Sequence, residues 1–158
     1  MGVKQWNVGD ILAAADMNSW TVPLAAVATG SQAVTGTTGT ADNTLSVAVA
    51  ANAIYSVELY MRVEGTASTA FVASFNGPSG STFSATYANA AATNDIGLGS
   101  VFGIGSLTGP STAESFVVVG TLNTAGTAGN LSLQFAAGGA GNTVTRLGNS
   151  RLVLQRIS

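Results

Sequence analysis

From residue 31 onward, apolar residues recur at every second position in short runs separated by clusters of Gly, Asn, Ser and Thr. Side chains of a strand alternate between its two faces, so this period describes short antiparallel strands with one buried face. The clearest run is Ile54 to Glu64. Tyr55, Val57, Leu59, Met61 and Val63 fall on one side, and Ser56, Glu58, Tyr60, Arg62 and Glu64 on the other. Six further runs are centred on Leu45/Val47/Val49, Phe71/Ala73/Phe75, Phe83/Ala85/Tyr87, Phe116/Val118/Leu122, Leu131/Leu133/Phe135 and Leu152/Leu154/Arg156. Turns are expected at Asn76-Gly77-Pro78, Ala125 to Gly129, Gly138 to Asn142 and Gly148-Asn149. The pattern predicts an all-β fold, an antiparallel β-sandwich or jelly roll of about eight strands.

What covers such a sandwich is unusual. Of the 158 residues, 46% are apolar and only 8% are charged, against about 25% charged in ordinary soluble domains. Thr, Ser, Asn, Ala and Gly must therefore form the surface. They give a free monomer little charge for colloidal stability, so part of that surface is expected to be buried on other copies or on a larger body. A net charge of −2 with five scattered basic residues argues against nucleic-acid binding, which needs clustered Lys and Arg. No run is apolar enough to span a membrane, and no secretion signal is recognisable at the amino terminus.

The chain has no His and no Cys, which removes Ser-His-Asp and Cys-His catalysis, histidine metal sites and thiolate chemistry. Paired carboxylates remain as a possible catalytic device. Of the seven acidic residues, Asp10 and Asp16 lie near the amino terminus, while Asp42, Asp95 and Glu114 read as loop-borne or strand-terminal. Only Glu58, Arg62 and Glu64 share a strand face, and they read better as an ion-pair ladder across strands or subunits than as a catalytic group. The expectation is a protein that is not an enzyme and carries no cofactor or metal.

Two segments stand out as contact regions. Residues 1–28 form an amino-terminal arm distinct from the β-domain at 29–158. The arm holds both tryptophans, Trp6 and Trp20, and a helical turn or short helix at Ile11 to Asn18 that Asp10 can cap. Trp6, Ile11, Leu12, Met17 and Trp20 are the candidate anchors, docked either on a partner or on the chain's own sandwich. In the second segment, Gly97, Gly99, Gly103 and Gly105 alternate with Ile96, Leu98, Phe102 and Ile104. Repeated glycine on one strand face admits another backbone closely. The segment therefore reads either as a subunit contact near a symmetry axis or as a flexible connection.

The stretch Trp6-Asn7-Val8-Gly9-Asp10-Ile11-Leu12-Ala13-Ala14-Ala15-Asp16-Met17-Asn18 resembles the amino-terminal signature of tailed-phage virion proteins, especially those of actinobacterial phages, with Ala13 and Met17 in place of the usual Thr and Leu. The strand Ala53 to Leu59 and the closing segment Arg151 to Ile157 resemble their small β-domains. The resemblance implies a jelly-roll-like domain, often trimeric, on the virion surface. Its first expected role is a capsid decoration protein whose arm lies on the major capsid protein. The alternative is a tail-fibre, tail-tip or receptor-binding component, touching host cell-wall glycan through residues such as Tyr60 and Tyr87.

Overall fold

The structure, a computed structural model, describes residues 22–88 and 93–158, with the side chains of residues 88 and 93–95 outside the description. The helical segment and the anchors Trp6, Ile11, Leu12, Met17 and Trp20 also lie outside the described residues. Among those described, every regular element is a strand. They are β1 (Leu24–Val27), β2 (Gln32–Thr35), β3 (Thr40–Val49), β4 (Ile54–Gly65), β5 (Phe71–Asn76), β6 (Thr82–Ala88), β7 (Thr93–Ile96), β8 (Phe102–Ile104), β9 (Glu114–Asn123), β10 (Gly129–Ala137), β11 (Thr143–Arg146) and β12 (Arg151–Arg156).

The count exceeds the expected eight because β1, β2, β7, β8 and β11 are only three or four residues long. A period of two hardly registers over so short a span. The seven longer strands are the seven alternating runs, and all four predicted turns fall between strands.

All pairings are antiparallel and build two sheets. The larger has eight strands in the order β1-β12-β4-β9-β6-β7, with β11 joining β4 to β2; the smaller has four, β3-β10-β5-β8. β4 organises the larger sheet. Its outer flank meets β12 from Tyr55 to Tyr60 and β11 from Val63 to Gly65, while β9 pairs along its other flank. The hand-over between β11 and β12 is fixed at Arg62. The Arg62 amide donates to Ser150 Oγ at 3.0 Å, the Arg62 carbonyl accepts from the Leu147 amide at 2.8 Å, and Ser150 Oγ donates to the Leu147 carbonyl at 2.8 Å.

β1 lies inside the segment assigned to the arm. Leu24 to Val27 pair with Leu154 to Arg151, and Ala28 and Asn149 bond beyond the ladder, so these residues belong to the sandwich wall.

The inward face of β4 is fully buried, Tyr55 to Val63 at alternate positions having 2% exposure or less. Between the sheets, all six phenylalanines form one connected cluster. Phe75 meets Phe83 and Phe102 at centroid distances of 5.0 and 5.4 Å, Phe116 meets Phe102 and Phe71 at 6.1 and 6.0 Å, and Phe71 stacks on Phe135 at 5.4 Å. Tilted and offset rings at these distances add to the area-driven stabilisation, so the cluster binds the two sheets across the core.

Candidate functional site

Alternation that buries one side of the larger sheet turns the other side to solvent. The register lines up its outward residues in rows. One row runs Val27, Arg151, Tyr60, Val117, and the next Ala25, Val153, Glu58, Val119, Thr86. Val117 and Val119, on β9 at the middle of the sheet, are 37% and 55% exposed. Glu58 accepts from Arg151 at 3.3 Å, with both side chains about half exposed, and the Arg151 guanidinium lies 5.0 Å from the Tyr60 ring centre. The charges in these rows thus cancel next to exposed valines.

Glu58, Arg62 and Glu64 share this outer face; of the ion pairs expected across strands Glu58 makes one, with Arg151 on β12, while Arg62 and Glu64 find other partners. Arg62 reaches the Gly148 carbonyl at 3.5 Å, and Glu64 accepts from the Ser111 amide at 3.1 Å. Residues two apart on a strand are about 6.5 Å apart along it, so partners across the sheet win.

The glycine alternation is also not one strand face. β7 ends at Ile96, Gly97 to Ser100 make a turn whose Gly99 amide donates to the Phe75 carbonyl at 2.9 Å, and β8 begins only at Phe102. Gly103 has φ of +145°, and a Cβ there would overlap the Phe71 carbonyl oxygen. Its close backbone neighbour is β5 of the same chain, and Phe102 is a core residue at 3% exposure. Gly105, past the end of β8, has open space around its Cβ position. These residues edge the smaller sheet, whereas Glu58, Arg62 and Glu64 sit on the larger one.

Tyr87 packs inward against Phe102 at 5.8 Å, so it does not offer a loop contact as expected; Tyr60 remains on the outer face.

A buried ionic cluster went unpredicted. Arg146, at 1% exposure, donates from Nε to Asp42 Oδ2 at 2.8 Å, and its two terminal nitrogens reach the Gly30 carbonyl and Asn43 Oδ1. Asp42 was expected in a loop or at a strand end, yet it lies buried within β3. There the ladder with β10 skips four residues, and Asp42 Oδ1 accepts from the Thr44 and Leu45 amides at 2.8 Å each. The carboxylate thereby shapes the bulge, and Arg146 neutralises it.

A shallow pocket of about 240 Å³ lies where β4, β11 and the β8–β9 loop meet, lined by Glu64, Thr66, Ala67, Pro110, Thr143 and Thr145 with Gly65. Among the described residues no group of three or more acidic side chains could hold a metal, and no helix is long and apolar enough to cross a membrane.

No family model matches the chain, and no curated protein matches it. Among solved structures, it is similar to an Eiger TNF from S. frugiperda, with a TM-score of 0.47 and 13% identity over 87% of this chain and 92% of that one. It is also similar to the tripod (BppUct-A-L) of the bacteriophage Tuc2009 baseplate, with a TM-score of 0.43 and 14% identity over 98% of this chain and 75% of that one. Both likenesses are distant and assign no role to any residue.

Proposed function

We propose that the chain is a non-enzymatic structural protein of a tailed-phage particle, and specifically a capsid decoration protein. It associates as a homotrimer through the outer face of its larger sheet and reaches the major capsid protein through its amino-terminal arm, with Trp6, Ile11, Leu12, Met17 and Trp20 as anchors. The sandwich is read as a jelly roll. From β3 to β12 the chain passes back and forth between the sheets, and the order β3-β10-β5-β8 faces β1-β12-β4-β9.

The observation that carries the reading is the pair of exposed valines, Val117 and Val119, at the centre of a sheet face with mutually cancelling charges. An apolar centre with a polar rim is the anatomy of a protein contact, and a copy of the same chain supplies it by symmetry. The virion assignment is supported by the Trp6 to Asn18 signature. A shell-binding protein of this kind acts by mass action, stabilising only the assembled lattice, and linked copies add avidity.

Light scattering on Val119→Lys tests the association. The wild type is expected at three times the chain mass and the variant at one, with its circular dichroism unchanged; a wild-type monomer at micromolar concentration refutes the trimer. Copy number from stained gels of purified particles separates the two virion roles. Hundreds of copies per particle mean decoration, and a handful mean the tail-tip or fibre alternative.

A further inference from the structure

We propose that the pocket at the carboxyl end of β4 binds one pyranose ring of a neutral saccharide. Its floor is the outer face where Glu64 on β4 stands directly opposite Thr145 on β11, with the pair Thr143 and Thr35 beyond it. Ala67 and Pro110 form the apolar wall. Four strand residues, about 13 Å at roughly 3.3 Å each, separate Glu64 from Tyr60 in the nearer of the two valine-bearing rows, so the pocket lies beside the proposed self-contact and is distinct from it.

The wall is built in advance of any ligand. Leu107, 2% exposed, anchors the β8–β9 loop by donating to the Thr69 carbonyl and accepting from the Ser68 amide, both at 2.8 Å. Two carboxylates then pin the loop's far side. Glu114 Oε1 accepts from the Thr108 amide at 2.6 Å, and Glu64 Oε2 accepts from the Ser111 amide at 3.1 Å. A preformed wall spares a ligand the ordering cost of making one.

The unused hydrogen-bonding capacity defines the ligand. Among the described residues Glu64 has no ion pair, since the basic partners of the pairs there, Arg146 and Arg151, serve Asp42 and Glu58. One backbone amide occupies Oε2, which leaves Oε1 open on a group that only accepts. The Thr143 and Thr35 hydroxyls share one bond of 2.7 Å that either can donate, so Thr143 can present a donor or an acceptor. The Thr145 hydroxyl makes no side-chain hydrogen bond among the described residues.

An acceptor-rich carboxylate beside adaptable hydroxyls calls for a ligand with neighbouring donors and no negative charge. Adjacent ring hydroxyls meet that need, and a pyranose also offers a C–H face to Pro110 and Ala67. An ammonium ligand would gain one solvent-exposed ion pair, which contributes little, and, having no acceptor, would leave the donor capacity of the threonines unused. At about 240 Å³ the space falls below the roughly 300 Å³ at which sites for larger ligands begin, so it holds one ring at a chain end.

Saturation-transfer NMR on the full chain tests this with methyl glucopyranoside, galactopyranoside, mannopyranoside and N-acetylglucosaminide, beside putrescine and glucuronate. At least one neutral pyranoside is expected to show transfer to its ring protons. Glu64→Gln should weaken it about tenfold, the loss of a hydrogen bond to a charged group, and the near-isosteric Thr145→Val about fivefold, the loss of a neutral one, while melting temperatures hold. Absence of transfer from every pyranoside, binding unchanged in both variants, or tighter binding of putrescine would overturn the proposal. All lining residues belong to one chain, so light scattering on the same samples reads the trimer separately, and either reading can fail alone.

Discussion

Replacing Arg146 by Met keeps most of the side chain's length and apolar volume but removes its charge, which tests whether the buried cluster holds the sandwich together. Arg146 is 1% exposed, and the Asp42 side chain it faces is fully buried. Removing one member of such a pair leaves an uncompensated buried charge and costs about 3–5 kcal/mol. Asp42 keeps its bonds from the Thr44 and Leu45 amides, which places the expected loss near the lower end, about 3 kcal/mol. For a chain of this length about 3 kcal/mol corresponds to a fall in Tm of roughly 6–12 °C. The assay is urea unfolding at neutral pH followed by far-ultraviolet circular dichroism, with Asp42→Asn and the double variant completing a cycle. The double variant should recover at least about 1.5 kcal/mol relative to the sum of the singles, because the two groups interact directly. A loss below about 1 kcal/mol for Arg146→Met, or strict additivity in the cycle, would refute the argument.

Gly103→Ala should destabilise the isolated chain, by about 1–3 kcal/mol for the strained backbone alone and more for the overlap with the Phe71 carbonyl. A loss of trimer with unchanged monomer stability would instead return Gly103 to a subunit contact. Trp6→Ala should weaken attachment to particles in a sedimentation assay by about tenfold or more, as expected of a hot-spot aromatic, without lowering the Tm of the free protein. The opposite ranking would make Trp6 part of the chain's own packing.

The sequence exposed whatever repeats locally and hid whatever depends on distant partners. β4 was legible because its twelve residues alternate without interruption. β11 was not, because four residues, Thr143 to Arg146, sit between turns and show alternation only once β4 and β2 flank them. Arg146 and Asp42 are 104 residues apart, and nothing local to either marks the other. The alternating glycines misled for a similar reason. Their spacing is that of a strand, but a turn interrupts it, and the close neighbour of Gly103 is β5, about thirty residues earlier. Glu64 was picked out by its face, while Thr145 and Pro110, which complete the pocket, come from segments that carry no motif.

One local signal for the outer face was present in the sequence. In Phe116-Val117-Val118-Val119 the alternation fails, since apolar residues fill both faces of the strand. A strand of a one-sided sheet has no use for the second pair. Phe116 and Val118 face the core at 2% and 0% exposure, which leaves Val117 and Val119 in solvent. Apolar residues on both faces belong to strands covered on both faces, and among the described residues only the core covers β9. The proposed self-contact would supply the cover on the other side. The low charge of the whole surface points the same way, because a sandwich that spends its life within an assembly has little need of charge to keep copies apart.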